Sequence, residues 1–101
     1  MEEYGICWTT QAQTDFISCL SFVMFVSKEA ADNLKKDLSN AILSLKTFPE
    51  RYPVFDMPKY TIITMHKLVV NKRYVILYSI EDENIFIYRI IDSRRNFERL
   101  I

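Results

Sequence analysis

The stretch Arg73-Tyr74-Val75-Ile76-Leu77-Tyr78-Ser79-Ile80, followed after a short interval by Ile85-Phe86-Ile87-Tyr88-Arg89-Ile90-Ile91-Asp92, decides the fold. Both segments are dense in β-branched and aromatic residues, which suit a pleated, packed surface. Successive side chains on a strand point to opposite faces. Tyr74, Ile76, Tyr78 and Ile80 therefore share one face, the expected core face, while Arg73, Val75, Leu77 and Ser79 share the other. Residues 60–70 have the same character, and the intervals 71–72 and 81–84 are of hairpin length. Three consecutive strands over 60–70, 73–80 and 85–92 follow.

Working toward the N-terminus, Pro49, Pro53 and Pro58 interrupt any regular element, so residues 47–59 read as an irregular loop. Before it, Ala31, Leu34, Leu38, Ala41, Ile42 and Leu45 recur at helical spacing, with Lys35, Lys36, Asp37 and Asn40 on the opposite face. Ser27, followed by Lys28-Glu29-Ala30, supplies the polar-oxygen start of that helix. An earlier helix opens after Thr9 or Thr10 and carries Ala12, Phe16, Leu20 and Val23 on one stripe. Its far end is apolar all round, and Phe22, Phe25 and Val26 read as core beneath the proline loop, with a partner groove as the alternative. Residues 4–9 alternate and carry Ile6 and Trp8, a short first strand. The order is β-α-α-β-β-β: an α+β domain spanning residues 1–101, with a helical hairpin packed on one face of a mostly antiparallel four-stranded sheet. Trp8, Leu38, Ile42, Tyr78 and Ile87 are its expected core.

Composition excludes several classes. One glycine in 101 residues rules out Gly-rich phosphate-cradling loops. Cys7 and Cys19 have neither metal-ligand spacing nor a second pair, so no zinc site, other cofactor or disulfide framework is expected, and a reducing cytoplasm suits the chain. The apolar run 16–26 is too short to span a bilayer. The neutral total charge hides an asymmetry: residues 1–58 hold five bases against eight acids, and residues 59–101 eight bases against five acids. A basic surface belongs to the second half.

With these elements in order, the pattern resembles the RelE/ParE toxin superfamily of bacterial type II toxin–antitoxin systems. The resemblance rests on Trp8-Thr9 ending the first strand, Ala12 and Asp15-Phe16 opening the first helix, and Ala30-Ala31 and Leu38 to Leu45 in the second. It rests further on Arg73-Tyr74-Val75-Ile76-Leu77-Tyr78, on Arg89 within residues 85–91, and on Arg94-Arg95, which look like the last strands and terminal arginines of the ParE-like branch. It implies a plasmid-stabilisation or growth-inhibition role, a cognate antitoxin as partner, and DNA gyrase or the ribosome as target. No membrane partner and no sequence-specific DNA binding by the chain alone are expected.

The nuclease branch of that superfamily usually carries an active-site Arg three residues before Tyr78, where this chain has Val75, and a Tyr or His-Tyr near its end, where this chain reads Asp92-Ser93-Arg94-Arg95-Asn96-Phe97. A valine cannot stabilise phosphate charge. The resemblance therefore implies a toxin that inhibits by binding, with a ribosome-dependent endoribonuclease or a non-toxic relative as alternatives. His66, Lys67 and Arg73 are the residues left for phosphate chemistry. His66, the lone histidine, reads first as a structural residue, and Arg73 equally as a guard of a strand edge. Arg73, Val75, Leu77, Arg94 and Arg95 are the expected contacts for target or antitoxin: Val75 and Leu77 as an apolar patch on the open sheet face, the arginines as two-point grips for acidic groups. Arg89 reads equally as a functional arginine and as an anchor for Asp56, Asp92 or Glu98.

Overall fold

The computed structural model describes residues 3–55 and 63–94. Strand β1 (Gly5–Trp8) leads into helix α1 (Thr10–Met24), then α2 (Lys28–Leu43), which tightens into a 3-10 turn over Ser44–Lys46. After a second 3-10 turn (Pro49–Arg51) come β2 (Val54–Phe55), β3 (Met65–Val70), β4 (Tyr74–Glu81) and β5 (Asn84–Asp92). The helices start where their caps dictate. Thr9 and Ser27 have extended backbones, and their hydroxyl oxygens accept the amide hydrogens of Ala12 and Ala30.

The sheet order is β1-β5-β4-β3-β2, with β1 parallel to β5 and every other pairing antiparallel. Leu38, Ile42 and Leu45 from the helical layer meet Ile76, Tyr78, Ile85 and Ile87 from the sheet, and all are buried. Trp8 sits at the margin of this core, half-buried and edge-on to the Phe16 ring at 5.3 Å, not inside it. The Tyr78 hydroxyl donates to the Pro49 carbonyl at 2.5 Å and ties the proline segment to the sheet. Burial raises the Tyr78 pKa well above the usual phenol value.

Several expectations change. Residues 54–55, read as loop, form a two-residue edge strand beside Met65 and His66, giving a fifth strand. It is anchored by the Lys67 amide, which donates to the Pro53 carbonyl at 2.9 Å, and proline is tolerated at such an edge. The first of the three expected long strands starts at Met65; residues 60–62 of its expected span lie outside the described residues, as do Arg95 and the rest of the tail.

Phe25 and Val26 are 92% and 84% exposed, and Phe22 is exposed too. They form the tip of the helical hairpin. The proline segment cannot cover them, because it begins beyond the far end of α2, a helix of 16 residues and so about 24 Å long.

Val75 and Leu77 are buried rather than open, together with Met65 and Ile91 on the sheet face away from the helices. The face of β4 away from the helices is therefore covered as well, which alternation alone does not reveal.

Arg89 anchors on Asp15 of α1 at 2.7 Å, a partner that was not expected; Asp56 and Glu98 lie outside the described residues. The β4–β5 register shifts between Leu77 and Tyr78, so Leu77 faces Arg89 while Tyr78 faces Ile87, with Tyr88 as the extra residue. β1 has already ended at Trp8 opposite Ile87. Past that point Asp15 takes the Ile90 amide at 3.0 Å as well as the guanidinium, substituting for a missing strand.

Candidate functional site

Among the described residues a groove of about 550 Å³ lies between the helical hairpin and the β3–β4 turn. Val23, Ala30, Asn33, Leu34 and Asp37 form the helical wall; Asn71, Lys72, Arg73, Tyr74 and Arg94 form the other. A type I′ turn needs positive φ at both central positions; in the three-residue connection 71–73 between the paired Val70 and Tyr74, Asn71 and Lys72 have φ of 55° and 58°. Asparagine accepts this region readily; lysine pays for its Cβ there. The turn is pinned to α2 by the Asn71 side-chain amide, which donates to Asp37 at 2.9 Å.

Asp92, buried at the end of β5, organises the cationic wall. Its carboxylate accepts Arg73 Nε and Nη2 at 2.9 and 2.8 Å, a two-point grip, and also accepts the Arg94 amide at 3.0 Å. The Ser93 amide donates to the Arg73 carbonyl at 2.8 Å. One carboxylate thus orients the Arg73 side chain and the chain turn that carries Arg94. The Arg73 guanidinium also lies over the Tyr74 ring at 5.2 Å, and its hydrogen bonds to Asp92 raise its pKa further. Burial raises the Tyr74 phenol. Lys72 and Arg94 are exposed, and neither is paired with a carboxylate among the described residues. The wall can hold carboxylate or phosphate oxygens by charge and hydrogen bonding.

Of the sequence candidates, Arg73 and Arg94 therefore meet in one groove. His66 and Lys67 do not join them. They lie at the opposite end of β3, roughly 10–13 Å along the strand from Val70. The His66 ring stacks on Tyr78 at 5.3 Å between centroids, and its Nδ1 is 2.8 Å from the Tyr52 carbonyl oxygen. Those contacts hold the ring between Tyr52 and Tyr78. Val75 and Leu77 are buried and offer no contact surface in this state. Lys72 was legible only as a turn residue. Its signal was a hairpin turn without glycine, which forces a side chain into a left-handed position. Among the described residues no group of His, Cys, Asp and Glu side chains is arranged to hold a metal ion, and no helix is long and apolar enough to cross a membrane.

A helical hairpin on a mixed sheet, with its first strand parallel to its last and a cationic groove beside the hairpin, defines the class: the superfamily the sequence resembles. The family model described as ParE toxin of type II toxin-antitoxin system, parDE, matches residues 6–97, and the chain belongs to that family. Among solved structures it is similar to a chain of the chromosomal ParDE TA system from P. aeruginosa, at 17% identity and a TM-score of 0.71, covering 89% of this chain and 96% of that one. No curated protein is significantly similar to it in sequence.

Proposed function

We propose that this chain acts as a toxin that arrests growth by binding a cellular target, DNA gyrase, and that a cognate antitoxin neutralises it. The observation that carries the reading is the contrast between two regions. The groove presents Lys72, Arg73 and Arg94 on a buried carboxylate scaffold, suited to gripping a partner's acidic groups. The positions that nuclease chemistry would need are otherwise engaged: Val75 is buried and His66 is held by Tyr52 and Tyr78. Arg95 belongs to the same proposal as the neighbour of Arg94 in sequence.

The test is a supercoiling assay with purified gyrase alongside growth of cells expressing the chain. Inhibition by the intact chain at micromolar concentration is expected. Arg94→Ala combined with Arg95→Ala should abolish growth arrest while leaving the thermal midpoint nearly unchanged, since exposed charges contribute little to folding. Unaffected supercoiling together with codon-positioned mRNA cleavage in a translation extract would overturn the reading in favour of a nuclease. Growth unaffected by strong expression would indicate a relative that keeps only the fold.

A further inference from the structure

The two helices of the hairpin present opposite kinds of surface. The exposed face of α2 carries Lys28, Glu29, Asp32, Lys35, Lys36 and Asp37, as a helix that stays in water does. α1 has one charged residue, Asp15, and it is buried against Arg89. With about 100° of turn per residue, Thr10, Gln13, Thr14, Ile17, Ser21 and Met24 fall opposite the buried Ala12, Asp15 and Cys19. All six are exposed and none is charged. Phe25, whose backbone stays in the helical region at the C-cap, continues the stripe. Ile17 is 63% exposed, Met24 about half and Phe25 almost fully. We infer that this outer face of α1 is an interface between two copies of the chain, with the two α1 helices packed antiparallel about a two-fold axis at Ser21.

Three observations select a second copy as the occupant. The first is shape. Ile17, Ser21 and Phe25, four residues apart, form one ridge that runs large, small, large. Turned over on itself about Ser21, the ridge brings Ile17 of each copy onto Phe25 of the partner subunit, while the small serines let the backbones approach. The same patch fits itself, as a two-fold interface requires. The second is charge: an uncharged face meets its own copy with no like charges opposed, whereas the face of α2 would set charge against charge. The third is area. Ile17, Met24, Phe25 and Val26 leave about 500 Å² accessible among them. Gln13, Thr14 and Ser21 bring the available face to roughly the 800 Å² per partner of a standard interface between folded proteins. The inference goes beyond the gyrase reading, which rests on the groove, and stands or falls separately from it.

The test is sedimentation of the purified full-length chain over a micromolar concentration series, in which the mass is expected to pass from that of one chain to that of two. Ser21→Lys and Ser21→Glu each set two like charges face to face on the axis and should raise the dissociation constant about tenfold or more. An equimolar mixture of the two variants should associate again, which also reports that both are folded. Ile17→Ser, which removes the knob that packs on Phe25 of the partner subunit, should weaken association as well. A chain that stays single at every concentration, a Ser21→Lys variant that pairs like the unaltered chain, or a mixture that fails to reassociate would overturn the inference. So would a chain that is single in solution and binds phosphatidylcholine vesicles through Phe25, which would make the face a lipid contact. Inhibition of gyrase by a chain that is single throughout would leave the functional proposal standing and remove this one.

Discussion

Replacing Asp15 by Ala strands more than its own side chain. The carboxylate, nearly buried, accepts Arg89 Nε and Nη2 at 2.7 and 3.2 Å, the Ile90 amide at 3.0 Å and the Gln11 side-chain amide at 3.0 Å. Removing one partner of a buried ion pair costs about 3–5 kcal/mol, mostly through the uncompensated charge left behind. The Arg89 side chain is 22% accessible, so water recovers part of that loss and the lower end applies. The buried Ile90 amide, which has no strand beside it past Trp8, adds about 1–3 kcal/mol. With the two effects overlapping, a loss of about 3–5 kcal/mol is expected, a large share of the roughly 5–15 kcal/mol that holds a domain together. The corresponding fall in Tm is roughly 15–30 °C. Urea unfolding followed by Trp8 fluorescence, with equal slopes for both proteins, measures it. Asp15→Asn keeps an oxygen for Ile90 and gives up the charge, so it should lose about half as much. A loss below about 1 kcal/mol for Asp15→Ala would refute the account of how α1 is fastened to the sheet.

Three further outcomes are expected. Leu38→Ala, at a fully buried position of α2, should cost about 2–5 kcal/mol in the same denaturation measurement by leaving a cavity between helix and sheet. Tyr78 is neutral in the native state and its pKa is raised by burial, whereas the unfolded phenol ionises near pH 10. Its stabilisation is therefore fully present below about pH 10 and fades as pH rises above it, so a pH series of thermal midpoints should fall in alkali, and Tyr78→Phe should flatten that fall while costing about 1 kcal/mol at neutral pH through the lost bond to Pro49. Lys72→Gly relieves a left-handed lysine, worth about 1–2 kcal/mol, against the extra chain entropy of glycine, and should raise stability by about 0.5–1 kcal/mol in a thermal melt.

Much of the fold was legible because local signals agreed: Thr9 and Ser27 cap where their side chains predicted, and Leu34, Leu38 and Ile42 bury the face their spacing marked. What escaped the sequence depends on partners far apart in the chain. Nothing local says that β5 skips a residue beside Leu77, so the choice of Asp15 for Arg89 was invisible. A period of two assigns Val75 and Leu77 to a face but does not say whether that face is wet. The hairpin tip misled for the opposite reason, since Phe25 and Val26 look like core by composition and stand clear of it because the link between helices projects past the sheet. In the site, Arg73 and Arg94 were found as basic residues, yet the carboxylate that organises them was not, because Asp92 read as an anchor for Arg89 and nothing local joins it to Arg73, 19 positions earlier.

The pairing of β1 with β5 also sets a clock during synthesis. Thr9 hydrogen-bonds Tyr88 across 79 positions of sequence, and Trp8 lies beside Ile87. At about 5–20 residues per second, the first strand leaves the ribosome roughly 4–16 s before the strand it must join has been made. During that interval the sheet lacks β5, and Asp92, which orients the arginines of the groove, does not yet exist. A message truncated before β5 therefore yields no such groove, and each new molecule can assemble it only after Asp92 has been added to the chain.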